Sequence, residues 1–155
     1  GKSTLLRIIL GLTSPSKGEV EYCKPSLQIS YLGHKNAIKH YLTPMQNLEL
    51  MFRSSALSEA IKWMHILGLN KVQDELTANL SFGQQKKLAL IRVFASESDL
   101  IILDEPFVGL DDASRDLLNG FLQKQLASDA SLILTSHIEP NILCSELVLS
   151  GDTDD

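Results

Sequence analysis

The residues of this chain best suited to chemistry lie between positions 80 and 111. Asp104 and Glu105 stand side by side directly after Leu100-Ile101-Ile102-Leu103. An apolar run of that kind predicts a short strand buried on both faces of a parallel sheet. Ligands of such sheets collect at the carboxyl ends of the strands, where these two residues sit. A pair of carboxylates at a buried strand exit is costly to desolvate, and a divalent cation is the usual compensation. Upstream, Ser81 and Gln84 have capping-box spacing, which makes Ser81 a natural helix N-cap. Such a helix end presents unpaired N–H groups and the positive end of the dipole, and so suits an anion. After the carboxylates, a turn through Pro106 and Gly109 leads to Leu110-Asp111.

The elements that must position these groups alternate between strand and helix. Residues 2–12 have helical spacing, with Leu5, Ile8, Ile9 and Leu12 on one side, and the turn cluster 14–18 ends the helix. Residues 19–23 and 27–32 read as short strands, and Gly33-His34-Lys35-Asn36 leaves the second as a loop. Thr43-Pro44-x-Gln46 is a second capping box, opening a helix to about Phe52. Another helix runs from about Ala56 to Leu67 and is closed by Gly68. Residues 81–97 form the helix capped by Ser81, with Leu88, Ile91 and Ala95 marking its buried stripe. A helix over residues 112–126 and a buried strand over residues 131–135 follow, the strand ending just before His137. A short helix near 140–145, a strand at 146–149 and an acidic, mobile tail at 151–155 complete the prediction. His40 and His65 have no chemical context and read as surface or packing residues.

Composition narrows the function classes. At 155 residues the chain is one domain with room for a real core. Its 44% hydrophobic and 21% charged residues are ordinary for a globular protein. A net charge of −5 argues against a nucleic-acid partner, which would want a basic face. Cys23 and Cys144 are too few for a disulfide framework or a zinc site and imply an intracellular fold. No apolar stretch approaches the roughly 20 residues needed to span a bilayer, and no signal peptide is visible. Any membrane spans must therefore come from a partner.

Taken together, residues 80–111 resemble the signature motif, Walker B motif and D-loop of ABC-type ATPases. Gly1-Lys2-Ser3-Thr4 resembles the end of a Walker A loop, and Ser136-His137 resembles the switch histidine, so the motifs stand in family order. The resemblance implies an α/β fold: a P-loop NTPase-like ABC ATPase core with a mainly parallel sheet and a small inserted helical subdomain. It implies one domain over residues 1–155, with the Q-loop and the start of the subdomain at 34–80 and the signature helix at 81–97. A full phosphate loop reads G-x-x-x-x-G-K-[ST], and this chain begins at the second glycine. The expectation is a fragment or a misplaced start, lacking roughly 35–45 residues that include an adenine-stacking aromatic, with weakened Mg-ATP binding.

The resemblance also implies roles. ATP and Mg²⁺ are the expected ligands, with Gly1, Lys2, Ser3 and Thr4 around the nucleotide. Lys2 would reach the β- and γ-phosphates, Ser3 would place its hydroxyl on Mg²⁺, and Thr4 would bond the α-phosphate. Asp104 would hold Mg²⁺ through water, and Glu105 would orient or deprotonate the attacking water. His137 would contact the γ-phosphate. Ser81, Gly83 and Gln84 would cover the nucleotide of a second copy in a head-to-tail dimer, with Asp111 crossing the interface. Phe82 departs from the commonest pattern, which has glycine there, and Gly83 would let the backbone approach phosphate. His34 stands where most of the family has glutamine contacting Mg²⁺ and water. Imidazoles as a class titrate near neutrality, so a coupling role and a structural one stay open for His34.

Residues 31–39, followed by Leu42-Thr43-Pro44-Met45-Gln46-Asn47-Leu48, look like the ATP-binding export proteins of cytochrome c biogenesis, the CcmA family. That family places histidine after Y-L/I-G and follows it with L-T-x-x-E/Q-N-L. This closer resemblance implies a peripheral ATPase at the cytoplasmic face of the inner membrane. It would pair with a CcmB-like membrane subunit in haem export and c-type cytochrome maturation. Other readings are an ABC ATPase with another cargo and an inert truncated fragment. A nucleic-acid ATPase of the SMC type is disfavoured, since the segment between Gly1 and Ser81 is compact and lacks sustained heptads.

Overall fold

The computed structural model describes residues 1–149. Helix α1 (Lys2–Ile9) is followed by strand β1 (Ile29–Leu32), then by helices α2 (Pro44–Met51), α3 (Ser54–Ile66) and α4 (Phe82–Phe94). Strand β2 (Leu100–Asp104), helix α5 (Asp112–Leu126) and strand β3 (Ser131–Thr135) complete the order. The three strands are parallel, in the order β1-β2-β3. Short 3₁₀ turns at Asn70–Val72 and Thr77–Asn79 join α3 to α4.

The central strand explains the layers. Every residue of β2 is buried, because β1 and β3 satisfy its backbone laterally and helices cover both faces. Its side chains alternate between faces. Ile101 and Leu103 pack into the larger core with Leu32, Leu88, Ile91, Leu118 and Leu122, against α4 and α5. Leu100 and Ile102 turn to the other face, where Leu6 of α1 meets them. Each such side chain contributes about 1.5–3 kcal/mol on full burial. Trp63 of α3 stacks on Phe94 of α4 at 4.5 Å, and Phe121 of α5 meets Phe94 edge-on at 4.8 Å, tying three helices together.

Local signals account for most boundaries. Thr43 caps α2 with both bonds of the capping box present. α3 begins two residues earlier than expected and ends at Ile66, one residue before the expected Leu67. Gly68, at φ +73, turns the chain, and Leu69 N–H closes on the Met64 carbonyl. The same device overrides the expected extent of α1. Gly11, at φ +69, lets Leu12 N–H bond the Arg7 carbonyl, so the helix stops at Ile9 and Leu12 lies exposed. The buried residue of α1 is Leu6 rather than the expected stripe. α4 ends at Phe94, short of 97, where Ser96 Oγ donates to the Arg92 carbonyl at 2.7 Å and competes with the helical ladder.

Two expected strands and one helix do not form. Residues 19–23 are exposed and unpaired; no strand among the described residues lies beside them to take their backbone bonds. Residues 140–145 and 146–149 are neither helix nor strand, and Leu143, Leu147 and Val148 are exposed. Within this stretch Ile142 alone packs against the core, too little apolar contact to offset the cost of nucleating a helix. The acidic stretch 151–155 lies outside the described residues. His40, His65, Cys23 and Cys144 are all exposed.

Candidate active site

Parallel strands end at a common edge, and here the register places the exits level. Leu103 is opposite Leu32, and Asp104 is opposite Thr135. Glu105 and His137 therefore emerge beside each other, and His34 leaves β1 at the same edge. α1 brings its N-terminus to these groups. Ser3 Oγ donates to Asp104 Oδ2 at 2.7 Å, and Lys2 Nζ lies 3.8 Å from Glu105 Oε1 and 3.4 Å from His137 Nε2. Gly1 is the N-cap of α1 and makes no side-chain capping bond to its first turn, whose N–H groups a helix cannot satisfy internally; Thr4 is exposed. The structure thus brings Lys2, Ser3, Asp104, Glu105 and His137 together.

The two carboxylates are held differently. Asp104, only 3% exposed, accepts from Ser3 on one oxygen and from Thr135 Oγ1 on the other at 2.6 Å. Glu105 adopts a left-handed backbone, φ +51, which is strained for a residue with a Cβ. Its N–H donates to the Thr135 carbonyl at 3.0 Å, and its Oε2 accepts from the His137 N–H at 3.1 Å. Its Oε1 is buried without a hydrogen-bond partner among the described residues, although His137 Nε2 stands 3.4 Å away. A buried acceptor left open in a group of cations and donors suits an incoming polar molecule.

The donor set also fits a hard cation. Ser3 and Asp104 offer a hydroxyl and a carboxylate oxygen, the ligands Mg²⁺ prefers. No group of three His, Cys, Asp or Glu side chains gathers among the described residues, so an ion there would complete its shell with water and phosphate.

Ser81 and Asp111 are exposed and Gly83 and Gln84 half-buried in a second group, held by bonds within the Ser81–Gln84 pair and from Asp111 to its neighbours. Ser81 Oγ accepts from Gln84 N–H at 3.2 Å, and Gln84 Oε1 accepts from Ser81 N–H at 2.8 Å. Asp111 caps α5 through Ser114 N–H and receives Lys87 Nζ at 2.7 Å. These contacts hold the Asp111 carboxyl well below its ordinary value. His34 is exposed and makes no hydrogen bond among the described residues, so the geometry does not tie it to the Glu105 group.

Three contributors were not singled out from the sequence. Thr135 holds both carboxylate residues at once, a role hidden in an ordinary strand-ending threonine. Asn47, 1% exposed, accepts from Lys39 N–H and donates to Thr77 Oγ1, fixing the loop after β1. Lys86 is 3% exposed. Burial pushes its ammonium below the ordinary value, while the charges of Asp104 and Glu105 pull the other way. Its spacing to the buried Leu90 and Val93 marks it as inward-facing, a signal masked by the adjacent Lys87.

The family model for ABC transporters matches residues 1–108. The cytochrome c biogenesis ATP-binding export protein CcmA of Idiomarina loihiensis is 38% identical over 99% of this chain and 72% of its own length. CcmA of Dechloromonas aromatica is 36% identical over 92% of this chain and 76% of its own. The chain belongs to the CcmA family of ABC transporter ATPases. Among solved structures, an ATP-binding subunit of an ABC transporter superposes on this CcmA-family chain with a TM-score of 0.77 and 25% identity. That match covers 89% of this chain and 64% of the other. The dimeric bacterial ABC transporter cassette MJ0796, at 22% identity and a TM-score of 0.71, shares the fold. The α/β architecture with a parallel sheet is the ABC ATPase core read from the sequence.

Proposed function

We propose that this CcmA-family chain is the ATP-hydrolysing subunit of a membrane complex for haem export and c-type cytochrome biogenesis. The observation that carries the chemistry is the gathering of Lys2, Ser3 and His137 around Asp104 and the open Glu105 Oε1. The first-turn N–H groups of α1 and the Lys2 ammonium bind the phosphates. Ser3 and Asp104 would hold Mg²⁺, which when bound neutralises charge on the triphosphate. Glu105 takes the position of the group that orients water and receives its proton, its Oε2 fixed by the His137 N–H and its Oε1 left free. His137 faces the γ-phosphate position beside Lys2. The protein's contribution is positioning and charge, with no covalent intermediate.

Ser81, Gly83 and Gln84, at the N-terminus of α4, would roof the nucleotide of a second copy, with Asp111 at the interface. Residues 34–80 would hold the Q-loop and the start of the helical subdomain, followed by the signature helix from Ser81. No helix of the described residues is long and apolar enough to cross a membrane. The transmembrane path then belongs to a CcmB-like partner, with this chain at the cytoplasmic face of the inner membrane. His34, exposed at the β1 exit, stands open to a coupling role toward that partner or to a structural one. Deleting the gene in its host and staining for covalently bound haem tests the assignment. Loss of c-type cytochromes, restored by the wild-type gene but not by Glu105→Gln, is expected; normal cytochromes in the deletion strain would overturn it.

A further inference from the structure

Three contacts fasten the first turns of α4 to residues 106–111, the loop that follows the carboxylates. The Phe82 ring lies over Gly109, where a Cβ would come within 2.5 Å of Phe82 Cδ1. Gly83 sits against the Gly109 carbonyl, and a Cβ on Gly83 would stand 2.6 Å from that oxygen. Further along α4, Lys87 Nζ donates to Asp111 at 2.7 Å. Gly109 has φ +81, so this position needs glycine both for its backbone and for the bare face on which the ring rests. The loop itself is stiff, because Phe107 and Leu110 are buried in the main core.

Phe82 is nonetheless 59% exposed on its outer side. A large apolar side chain at that exposure gains little from burial, and the part-exposed Lys87–Asp111 pair is by itself too weak to hold the two segments in register. The ring supplies a steric stop that a glycine in its place would lack.

We propose that Phe82 is a positioning residue: seated on Gly109, it locks the turn carrying Ser81 to the loop running from Glu105 to Asp111, so that the two move as one body when two copies close on ATP. The inference rests on the reading that Ser81 acts on the nucleotide of a second copy. A change of geometry at Glu105 in one copy is then delivered to the turn that roofs the site of the other. Phe82 acts through Ser81 and Asp111 and touches neither nucleotide nor water.

The test is ATP-driven dimerisation of the full protein, measured by sedimentation with Mg-ATP, with hydrolysis slowed by Glu105→Gln in every variant. Nucleotide affinity is measured separately at protein concentrations too low for dimers. Phe82→Ala is expected to weaken dimerisation about tenfold while leaving monomer nucleotide affinity and melting temperature near those of the parent. Phe82→Leu is expected to lie between, and Phe82→Tyr to restore the parent value. Equal dimerisation for Phe82→Ala and parent, or parallel losses of dimerisation, nucleotide affinity and melting temperature, would overturn the proposal. Ser81→Arg separates the two readings. If it abolishes dimerisation while Phe82→Ala does not, only the Phe82 proposal fails; if it has no effect, the second-copy reading fails as well.

Discussion

Ser3 Oγ donates to Asp104 Oδ2 at 2.7 Å across 101 positions of sequence. This bond joins the N-terminus of α1 to the exit of the central strand. It depends on α1 packing through Leu6 onto Leu100 and Ile102, one face of the sheet, while α4 and α5 hold the other. The carboxylate it reaches is buried and would be costly to leave unpaired. Thr135 supplies the second donor, and the two hydroxyls leave both oxygens of Asp104 oriented along the sheet edge.

Glu105→Gln keeps the shape of the side chain and the bond from the His137 N–H but removes the carboxylate proposed as the base. Phosphate release is expected to fall about 10²–10⁴-fold. Nucleotide affinity, followed by fluorescence of a labelled ATP analogue, should change little. Retained hydrolysis would move the base elsewhere.

The left-handed backbone of Glu105 makes a separate forecast. At φ +51 a Cβ is strained, and the strain costs about 1 kcal/mol. Glu105→Gly is therefore expected to melt higher than Glu105→Ala, although both lose the carboxylate. Equal melting temperatures would mean the backbone relaxes on substitution.

Thr135→Val removes the hydroxyl that donates to Asp104 and accepts from Glu105 N–H, leaving a buried acceptor unsatisfied. A stability loss of about 1–3 kcal/mol in urea titration is expected, with hydrolysis reduced as well. Thr135→Ser should retain most of both.

Lys86→Met exchanges a buried cation for an apolar chain of similar length. Desolvation outweighs attraction at this site, so the melting temperature should stay level or rise. Hydrolysis should nevertheless fall several-fold, because the field reaching Asp104 and Glu105 weakens. Calorimetry and phosphate release on one preparation check both halves.

Asp111 links stability to pH. Its carboxyl is lowered from 3.8 by the bond from Lys87 and then by Ser114. A depressed carboxyl stabilises the fold fully above its unfolded value, and that contribution is lost as pH falls through the native value. Asp111→Asn preserves the helix cap but not the ion pair. The difference in melting temperature between wild type and variant should be constant from pH 7 to about 5 and shrink below about pH 4. A difference that grows on acidification would contradict the linkage.

Much of the site edge was legible because its signals are local. Ser81 and Thr43 carry their capping partners three residues on, and both boxes form. The apolar run before Asp104 could bury itself only as a central strand, and α5 and β3 have the bounds their periodicity predicts. Local spacing also misled. Residues 19–23 alternate like a strand but find no partner backbone among the described residues. Leu12 extends the pattern of α1 but lies beyond the turn at Gly11.

What the sequence alone determined was the set of short-range choices: which residues cap, which run is apolar enough to be central, and which polar groups stand at strand exits. What only tertiary structure decided was the set of contacts between those pieces. The level exits of β2 and β3, the reach of Ser3 to Asp104, the double role of Thr135 and the burial of Lys86 all depend on strand register and on which face each helix covers. Those follow from the packing of side chains far apart in the chain, which no local spacing encodes.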